Sequence, residues 1–193
     1  MRSERALNRL RALSLALAFL ASAPALGSAE EGKAAPPEYD VKAAFVYNFV
    51  KFIEWPSAGM PAGESIRLCV LGTLPVSKAF SGLEGRQVQG RTMTVLAVVR
   101  PKEIQGCNVL FVAADRTGRP DEVLETLGDR PVLTIGDTEG FARRGIMINL
   151  FLENRRVRFE INEEKARAAG LRISVKLLKL ASKVYGPMKT GEE

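Results

Sequence analysis

Histidine is missing from this sequence. Its absence excludes Ser–His and Cys–His catalysis and every metal site that depends on imidazole. Only two cysteines are present, and no zinc-binding spacing, nucleophile elbow, glycine-rich nucleotide fingerprint or calcium loop occurs. The sequence therefore predicts a protein with no catalytic activity and no cofactor.

A strong charge of one sign is also missing once the chain is divided. The 193 residues carry 28 Lys and Arg against 22 Asp and Glu, a net charge of +6. Residues 1–29 hold four of the arginines and one glutamate, so the remainder keeps a net charge of only +3. Because no dense basic patch with interleaved aromatic residues remains, we expect no nucleic-acid binding.

Residues 1–29 have the pattern of a secretory signal peptide. A basic start precedes the apolar run Ala12–Leu26, and small residues follow up to Ala29. The alternative is an uncleaved membrane anchor, but the run is shorter than the roughly 20 residues that span a bilayer, and Pro24 interrupts it. We predict cleavage after Ala29 and export of the mature chain.

The two cysteines, Cys69 and Cys107, are interpreted in the light of that export. An even number of cysteines in an oxidising compartment predicts a disulfide. The alternative is a pair of buried free thiols.

The pattern after the leader predicts one α/β domain over residues 38–186, with a flexible lead-in at 30–37 and a polar tail at 187–193. Strands and helices alternate along most of this domain, which is typical of a mostly parallel sheet flanked by helices. The predicted helices are 38–55, 76–83 and 121–127, and the predicted strands are 66–71, 92–99, 108–112 and 131–135.

The end of the domain has a different pattern. Residues 146–152 and 157–161 flank a turn, and alternation in the second run predicts an antiparallel hairpin at the edge of the mixed sheet. Asn162 is expected to cap a short helix that Gly170 ends. A last helix is predicted from about Ser174 to Gly186.

Acidic residues follow two of the buried strands. Asp115 follows the third strand, and Asp137 and Glu139 follow the fourth. Ligands of open α/β sheets bind outside the carboxyl ends of the strands, so these carboxylates are candidate ligand-binding groups. The alternative is that they cap helices and turns without any ligand. The segment Gly85–Thr92 nearly matches a phosphate-binding loop but precedes a strand, so it is interpreted as a turn.

The segment Tyr39–Pro56 resembles the opening signature of the YfiR family. The segments Gly106–Leu110 and Val132–Asp137 are similar to that family in order and spacing, and so is Gly170–Ala181. The resemblance covers residues 39–185. It implies an exported protein that regulates a membrane-bound diguanylate cyclase by binding the periplasmic sensor region of that enzyme. Homodimers are known in the family, and a link to envelope redox stress is implied as well.

The resemblance also carries over to individual residues. Cys69 and Cys107 match a cysteine pair of the family, which supports the disulfide. Some members have a second pair downstream, and this sequence has none. For the partner contact we select four aromatic residues of the first helix, because aromatic side chains are enriched at binding interfaces: Tyr47, Phe49, Phe52 and Trp55. The alternative function is a periplasmic small-ligand receptor without a cyclase partner.

Overall fold

The computed structural model describes residues 37–57, 59–60, 63–114 and 120–186. These residues belong to one compact unit. The helices are α1 (Pro37–Val50), α2 (Leu74–Phe80), α3 (Pro120–Leu127), α4 (Glu163–Ala168) and α5 (Val175–Leu178). The strands are β1 (Ile53–Glu54), β2 (Ile66–Leu71), β3 (Gln87–Val88), β4 (Arg91–Val98), β5 (Val109–Val112), β6 (Leu133–Gly136), β7 (Ile148–Glu153), β8 (Arg156–Asn162), β9 (Arg172–Ile173) and β10 (Lys183–Tyr185).

Eight strands form one mixed sheet in the order β10-β8-β7-β6-β5-β2-β4-β3. The run from β7 to β4 is parallel throughout, while β8 is antiparallel to β7 and β3 is antiparallel to β4. Strands β1 and β9 form a separate antiparallel pair. The predicted fold class, a mostly parallel mixed sheet with helices and a C-terminal antiparallel hairpin, is confirmed.

Helices cover the two faces of the large sheet. On one face α1 and α2 bury the larger hydrophobic cluster, to which β2, β5, β6, β7 and β8 contribute alternate side chains. The other face carries a smaller cluster, in which Val123 and Leu127 of α3 join residues of β2 and β5. Helix α1 begins at Pro37 with Glu38 and Asp40 in its first turn, which suits the positive end of the helix dipole.

The disulfide lies in the smaller cluster. Cys69 on β2 is joined to Cys107, which comes shortly before β5, and their Cα atoms are 5.8 Å apart. The pair is 0% and 5% exposed, so the sulfur atoms are shielded from solvent. The predicted disulfide is confirmed. The chain passes from β4 to β5, which lie on opposite sides of β2, and the disulfide ties the end of this connection to β2. We therefore interpret the disulfide as a structural link.

Helix α1 is shorter than the sequence predicts. It ends at Val50 rather than near Trp55, and a turn at Lys51 and Phe52 leads into β1. Strand β1 then pairs with β9, so that Ile53 lies opposite Ile173. A strand pairing formed 120 residues later in the chain therefore overrides the helical pattern of residues 51–55.

The prediction of a long C-terminal helix is wrong. Only the single turn of α5 is helical, and the chain then extends into β10, which pairs in parallel with β8. Strand β10 is the edge strand, so the predicted antiparallel hairpin of β7 and β8 lies one strand inside the edge. The predicted short helix after Asn162 is present as α4. The Asn162 side chain caps it by accepting a hydrogen bond from the Lys165 backbone N–H at 3.0 Å.

Three predicted segments fall outside the described residues: the signal peptide at 1–29, nearly all of the lead-in at 30–37, and the tail at 187–193. Among the helices of residues 37–186 that the structure describes, none has the length and apolar character needed to cross a membrane.

Candidate functional site

The two ends of α1 hold most of the side chains that the sequence singles out. The amino-terminal end lies at the carboxyl edge of the parallel strands, next to the loop that follows β6. The carboxyl-terminal end lies against the hairpin of β3 and β4. The region at the amino-terminal end is the candidate small-ligand site, and the region at the carboxyl-terminal end is the candidate partner surface.

A buried ion cluster occupies the carboxyl edge. The Lys42 ammonium lies 2.7 Å from Asp137 Oδ2 and 2.5 Å from Glu38 Oε1. It also lies 4.7 Å from the centre of the Tyr39 ring. The side chains of Lys42 and Asp137 are 5% and 0% exposed. Two carboxyl groups thus share one ammonium.

Burial governs the protonation of Asp137. It raises the pKa of this carboxyl above the ordinary value of 3.8, while the Lys42 ammonium opposes the rise. Among the described residues, Asp137 Oδ1 and the neighbouring hydroxyl oxygen Thr138 Oγ1 are buried without a hydrogen-bond partner. A buried polar atom without a hydrogen bond lowers the stability of the fold. Among the described residues, the hydrogen-bonding capacity of this sheet edge is therefore incompletely used.

The three acidic residues selected from the sequence do not form a described cluster. Asp137 binds Lys42, Glu139 is exposed in the same loop, and Asp115 lies outside the described residues. No group of three or more acidic or cysteine side chains suited to a metal ion occurs within the part of the chain that the structure describes. The ligand-binding role of the three residues stays a prediction.

The aromatic residues at the other end of α1 divide into one buried and three half-buried side chains. Phe49 is 2% exposed and packs on Phe159 with 4.9 Å between ring centres, so it belongs to the core. Tyr47, Phe52 and Trp55 are half-buried and reach the surface. Phe49 is therefore left out of the partner surface, because only the other three are accessible.

The hairpin of β3 and β4 fixes this end of α1. Gln89 lies in the turn with a φ of 52°, followed by Gly90 at 72°, which is the geometry of a tight two-residue hairpin turn. The Gln89 side-chain amide donates to the carbonyl oxygens of Val50 at 2.9 Å and Ile53 at 2.8 Å. It thereby satisfies carbonyl groups that a helix end leaves open. The Tyr47 hydroxyl donates to the carbonyl oxygen of Gln87 at 2.8 Å.

A polar cavity of about 290 Å³ opens beside Trp55. Its lining includes Met60, Gln89 and Arg91. The Arg91 guanidinium donates to the carbonyl oxygens of Glu64 at 2.9 Å and Met60 at 3.2 Å. The indole nitrogen of Trp55 is buried and has no hydrogen-bond partner among the described residues. Trp55 thus packs on the core and lines a surface cavity at the same time.

Sequence reasoning missed two residues that organise these places. Lys42 stands in line with Val46 and Phe49 on the apolar stripe of α1, and a lysine in such a stripe signals a buried cation that needs a carboxylate. Gln89 carries no such signal, because its role depends on a hairpin packing against a helix end 36 to 39 residues away.

Comparisons with known proteins complete the description of the site. The model of the family described as YfiR/HmsC-like matches residues 39–182. A solved structure of a conserved domain protein from Vibrio cholerae O1 biovar El Tor is similar with a TM-score of 0.53 and 10% identity, over 76% of this chain and 60% of that chain. This chain therefore spans less than two thirds of that protein, and the likeness concerns the fold alone. A second solved structure, an ABC domain in complex with L-Trp from Streptococcus pneumoniae, has a TM-score of 0.46 and 15% identity, over 66% of this chain and 57% of that chain.

Proposed function

Because the chain belongs to the YfiR/HmsC-like family, we propose that it represses a membrane-bound diguanylate cyclase by binding the periplasmic sensor region of that enzyme. Members of the family are, in general, periplasmic regulators of such cyclases. The observation that carries the proposal is the family match, which spans residues 39–182 and hence nearly the whole described domain. A binding protein shifts a conformational equilibrium only if it prefers one state of its partner. This chain would therefore hold the cyclase inactive by binding the inactive conformation of the sensor region more tightly.

The contact surface that we assign to this function consists of Tyr47, Phe52 and Trp55. All three are half-buried: Tyr47 lies in the last turn of α1, Phe52 in the turn that follows it, and Trp55 directly after β1. Aromatic side chains with one face on the core and one face accessible are typical of interface anchors, because they bury a large area with little loss of conformational entropy. A homodimer, as in other family members, is compatible with this assignment.

Deleting the gene tests the function itself. We expect intracellular cyclic di-GMP to rise and a plasmid copy of the wild type to reverse the rise. A copy without residues 1–29 should fail to reverse it, because the protein would then remain in the cytoplasm. Unchanged cyclic di-GMP under conditions where the gene is expressed would overturn the proposal.

The Trp55→Ala variant tests the surface. Hot-spot aromatics contribute strongly, so the affinity for the purified sensor region should fall about tenfold or more while the fold survives. The matched control is Leu74→Ala, which removes a side chain that is 78% exposed on α2. Equal affinities of a folded Trp55→Ala variant and the wild type would remove Trp55 from the surface.

The small-ligand receptor is the second candidate function, and one observation favours it. Asp137 Oδ1 and Thr138 Oγ1 are buried and have no hydrogen-bond partner among the described residues, at the carboxyl edge where α/β proteins bind ligands. A thermal-shift screen of small molecules tests it. A ligand of this edge should raise the melting temperature of the wild type and lose this effect in Thr138→Val. A screen without any reproducible stabilisation would argue against the receptor.

A further inference from the structure

Two cations flank a single tyrosine on the partner surface. The Lys51 ammonium lies 4.2 Å from the centre of the Tyr47 ring, and the Arg86 guanidinium carbon lies 5.7 Å from it. Lys51 follows α1, whereas Arg86 precedes β3, so two elements far apart in sequence bring their cations to one ring. Both cationic side chains are exposed, and the ring is half-buried. We call these three residues the Tyr47 patch.

The cations of the Tyr47 patch have no acidic partner in the part of the chain that the structure describes. Within the described ranges, neither Lys51 nor Arg86 forms a salt bridge, and the Lys51 ammonium donates only to the amide oxygen of Asn48 at 2.9 Å. Acidic side chains near these segments are engaged elsewhere. Glu84 accepts a hydrogen bond from the Val95 backbone at 2.6 Å, and Glu54 pairs with Arg172 at 3.2 Å. The patch therefore presents two positive charges that the fold does not neutralise.

The patch is also held in one geometry before any partner arrives. The Tyr47 hydroxyl is fixed by Gln87, the residue that follows Arg86, and Gln89 ties the same hairpin to the end of α1. A surface that is already ordered loses less conformational entropy on binding, which favours a specific contact over a diffuse electrostatic one.

We infer that the Tyr47 patch binds an acidic polypeptide segment of the partner, with carboxylates paired to Lys51 and Arg86 around the Tyr47 ring. This inference rests on the proposed function for the identity of the partner and extends it by naming the chemistry of the contact. Guanidinium groups pair with carboxylates through two parallel hydrogen bonds, and the aromatic ring keeps the cations in position. Two cations are too few for an anionic membrane surface, which typically requires about 4–8 clustered basic residues.

Titration of the full mature chain tests the inference, with the fluorescence of Trp55, the only tryptophan of the sequence, as the readout. Three probes are used: the purified sensor region of the cyclase, a deca-glutamate peptide and phosphatidylglycerol vesicles. The test variant is Lys51→Glu/Arg86→Glu. The control is Lys102→Glu/Arg156→Glu, which makes the same charge change at two exposed residues outside the Tyr47 patch. Because like charges across an interface repel strongly, we expect the test variant to lose at least about tenfold in affinity and the control to lose little.

The outcomes separate this inference from the proposed function. Salt-sensitive binding of the sensor region that the test variant alone weakens supports both. Binding of the sensor region that is equal in the wild type and in the test variant overturns the inference and leaves the proposed function standing. Binding of deca-glutamate through the patch without binding of the sensor region supports the inference and overturns the cyclase as partner. Binding of the vesicles alone, or of no probe, overturns the acidic polypeptide as occupant.

Discussion

At its amino-terminal end α1 is fixed to the sheet by a buried ion cluster, whereas its carboxyl-terminal end is fixed by neutral hydrogen bonds to the hairpin of β3 and β4 and carries half-buried aromatic side chains. At the first end Lys42 forms ion pairs with Asp137 and Glu38. At the second end the Gln89 side chain donates hydrogen bonds to two backbone carbonyl groups. Buried ion pairs impose one arrangement, because a displaced charge would lie unpaired in a poorly solvated interior. Exposed cations contribute little to stability and stay available for a partner. We therefore expect the first end to govern stability and the second to govern recognition.

Removing the lysine of the buried cluster should have the largest effect on stability. In Lys42→Met the Asp137 carboxylate loses its cation while it stays buried, so the free energy of unfolding at neutral pH should fall by about 3–5 kcal/mol. Urea unfolding followed by circular dichroism measures the change. The double variant Lys42→Met/Asp137→Asn should recover most of the loss, because both charges are then gone. A single variant as stable as the wild type would show that the cluster does not fasten α1.

The pH dependence of stability should reveal the titration of Asp137. A carboxyl whose pKa is raised on folding binds its proton more tightly in the folded state, so its contribution to stability falls as pH rises. We expect the stability of the wild type relative to Asp137→Asn to decline from about pH 3.8 up to the raised pKa and to stay level above it. The slope for one proton is at most about 1.4 kcal/mol per pH unit. A rise over this range would mean that pairing with Lys42 outweighs burial.

Removing the amide that caps the other end should have a smaller effect. Gln89→Ala deletes two hydrogen bonds to the carbonyl oxygens of Val50 and Ile53, at about 0.5–1.5 kcal/mol each. Hydrogen exchange should locate the loosening at residues 50–54. Tyr47→Phe provides the control, because it removes one hydrogen bond to the same hairpin and leaves Gln89 in place. Protection of these amides equal to that of the wild type would exclude Gln89 as the fastening residue.

Reversing the exposed cations should have the smallest effect on stability. Lys51→Glu/Arg86→Glu removes two cation–ring contacts that are worth about 0.5–1 kcal/mol each at exposed sites. The midpoint of unfolding should shift by less than for Gln89→Ala, although binding is expected to change strongly. A large loss of stability would mean that the Tyr47 patch serves the fold as well as recognition.

The sequence predicted the parts of the fold that depend on local patterns. Apolar runs and the turn residues that bound them are short-range signals of strands. The ends of β2, β4, β5 and β6 were therefore predicted to within two residues. The C-terminal helix was wrong because Leu177, Leu180, Ala181 and Val184 have helical spacing, and nothing local reveals that the last segment pairs with β8. Propensity is a weak prior when a sheet edge offers backbone hydrogen bonds.

The candidate site shows the same division. Tyr47, Phe52 and Trp55 were selected as aromatic residues of the first helix and stay candidates for the partner contact. Phe49 belongs to the core, because its position depends on Phe159. The pairing of Lys42 with Asp137 spans 95 residues and has no local signal beyond a lysine in an apolar stripe. Contacts of this kind depend on how elements far apart in the chain pack together, and no local pattern of a single sequence reveals that packing.

The pairing of β1 with β9 has a consequence for any chain that emerges from a channel with its amino terminus first. Ile53 cannot pair until Ile173 has emerged, and Phe49 cannot pack until Phe159 has emerged. The first helix therefore lacks part of its packing surface until almost all of the domain has passed through. During that interval its apolar side is uncovered and open to chaperones or proteases. A chain truncated just before Arg172 would keep nearly all of its large sheet and still lack the strand that anchors the turn after α1. The defect of such a chain would therefore appear at the first helix, far in sequence from the missing end.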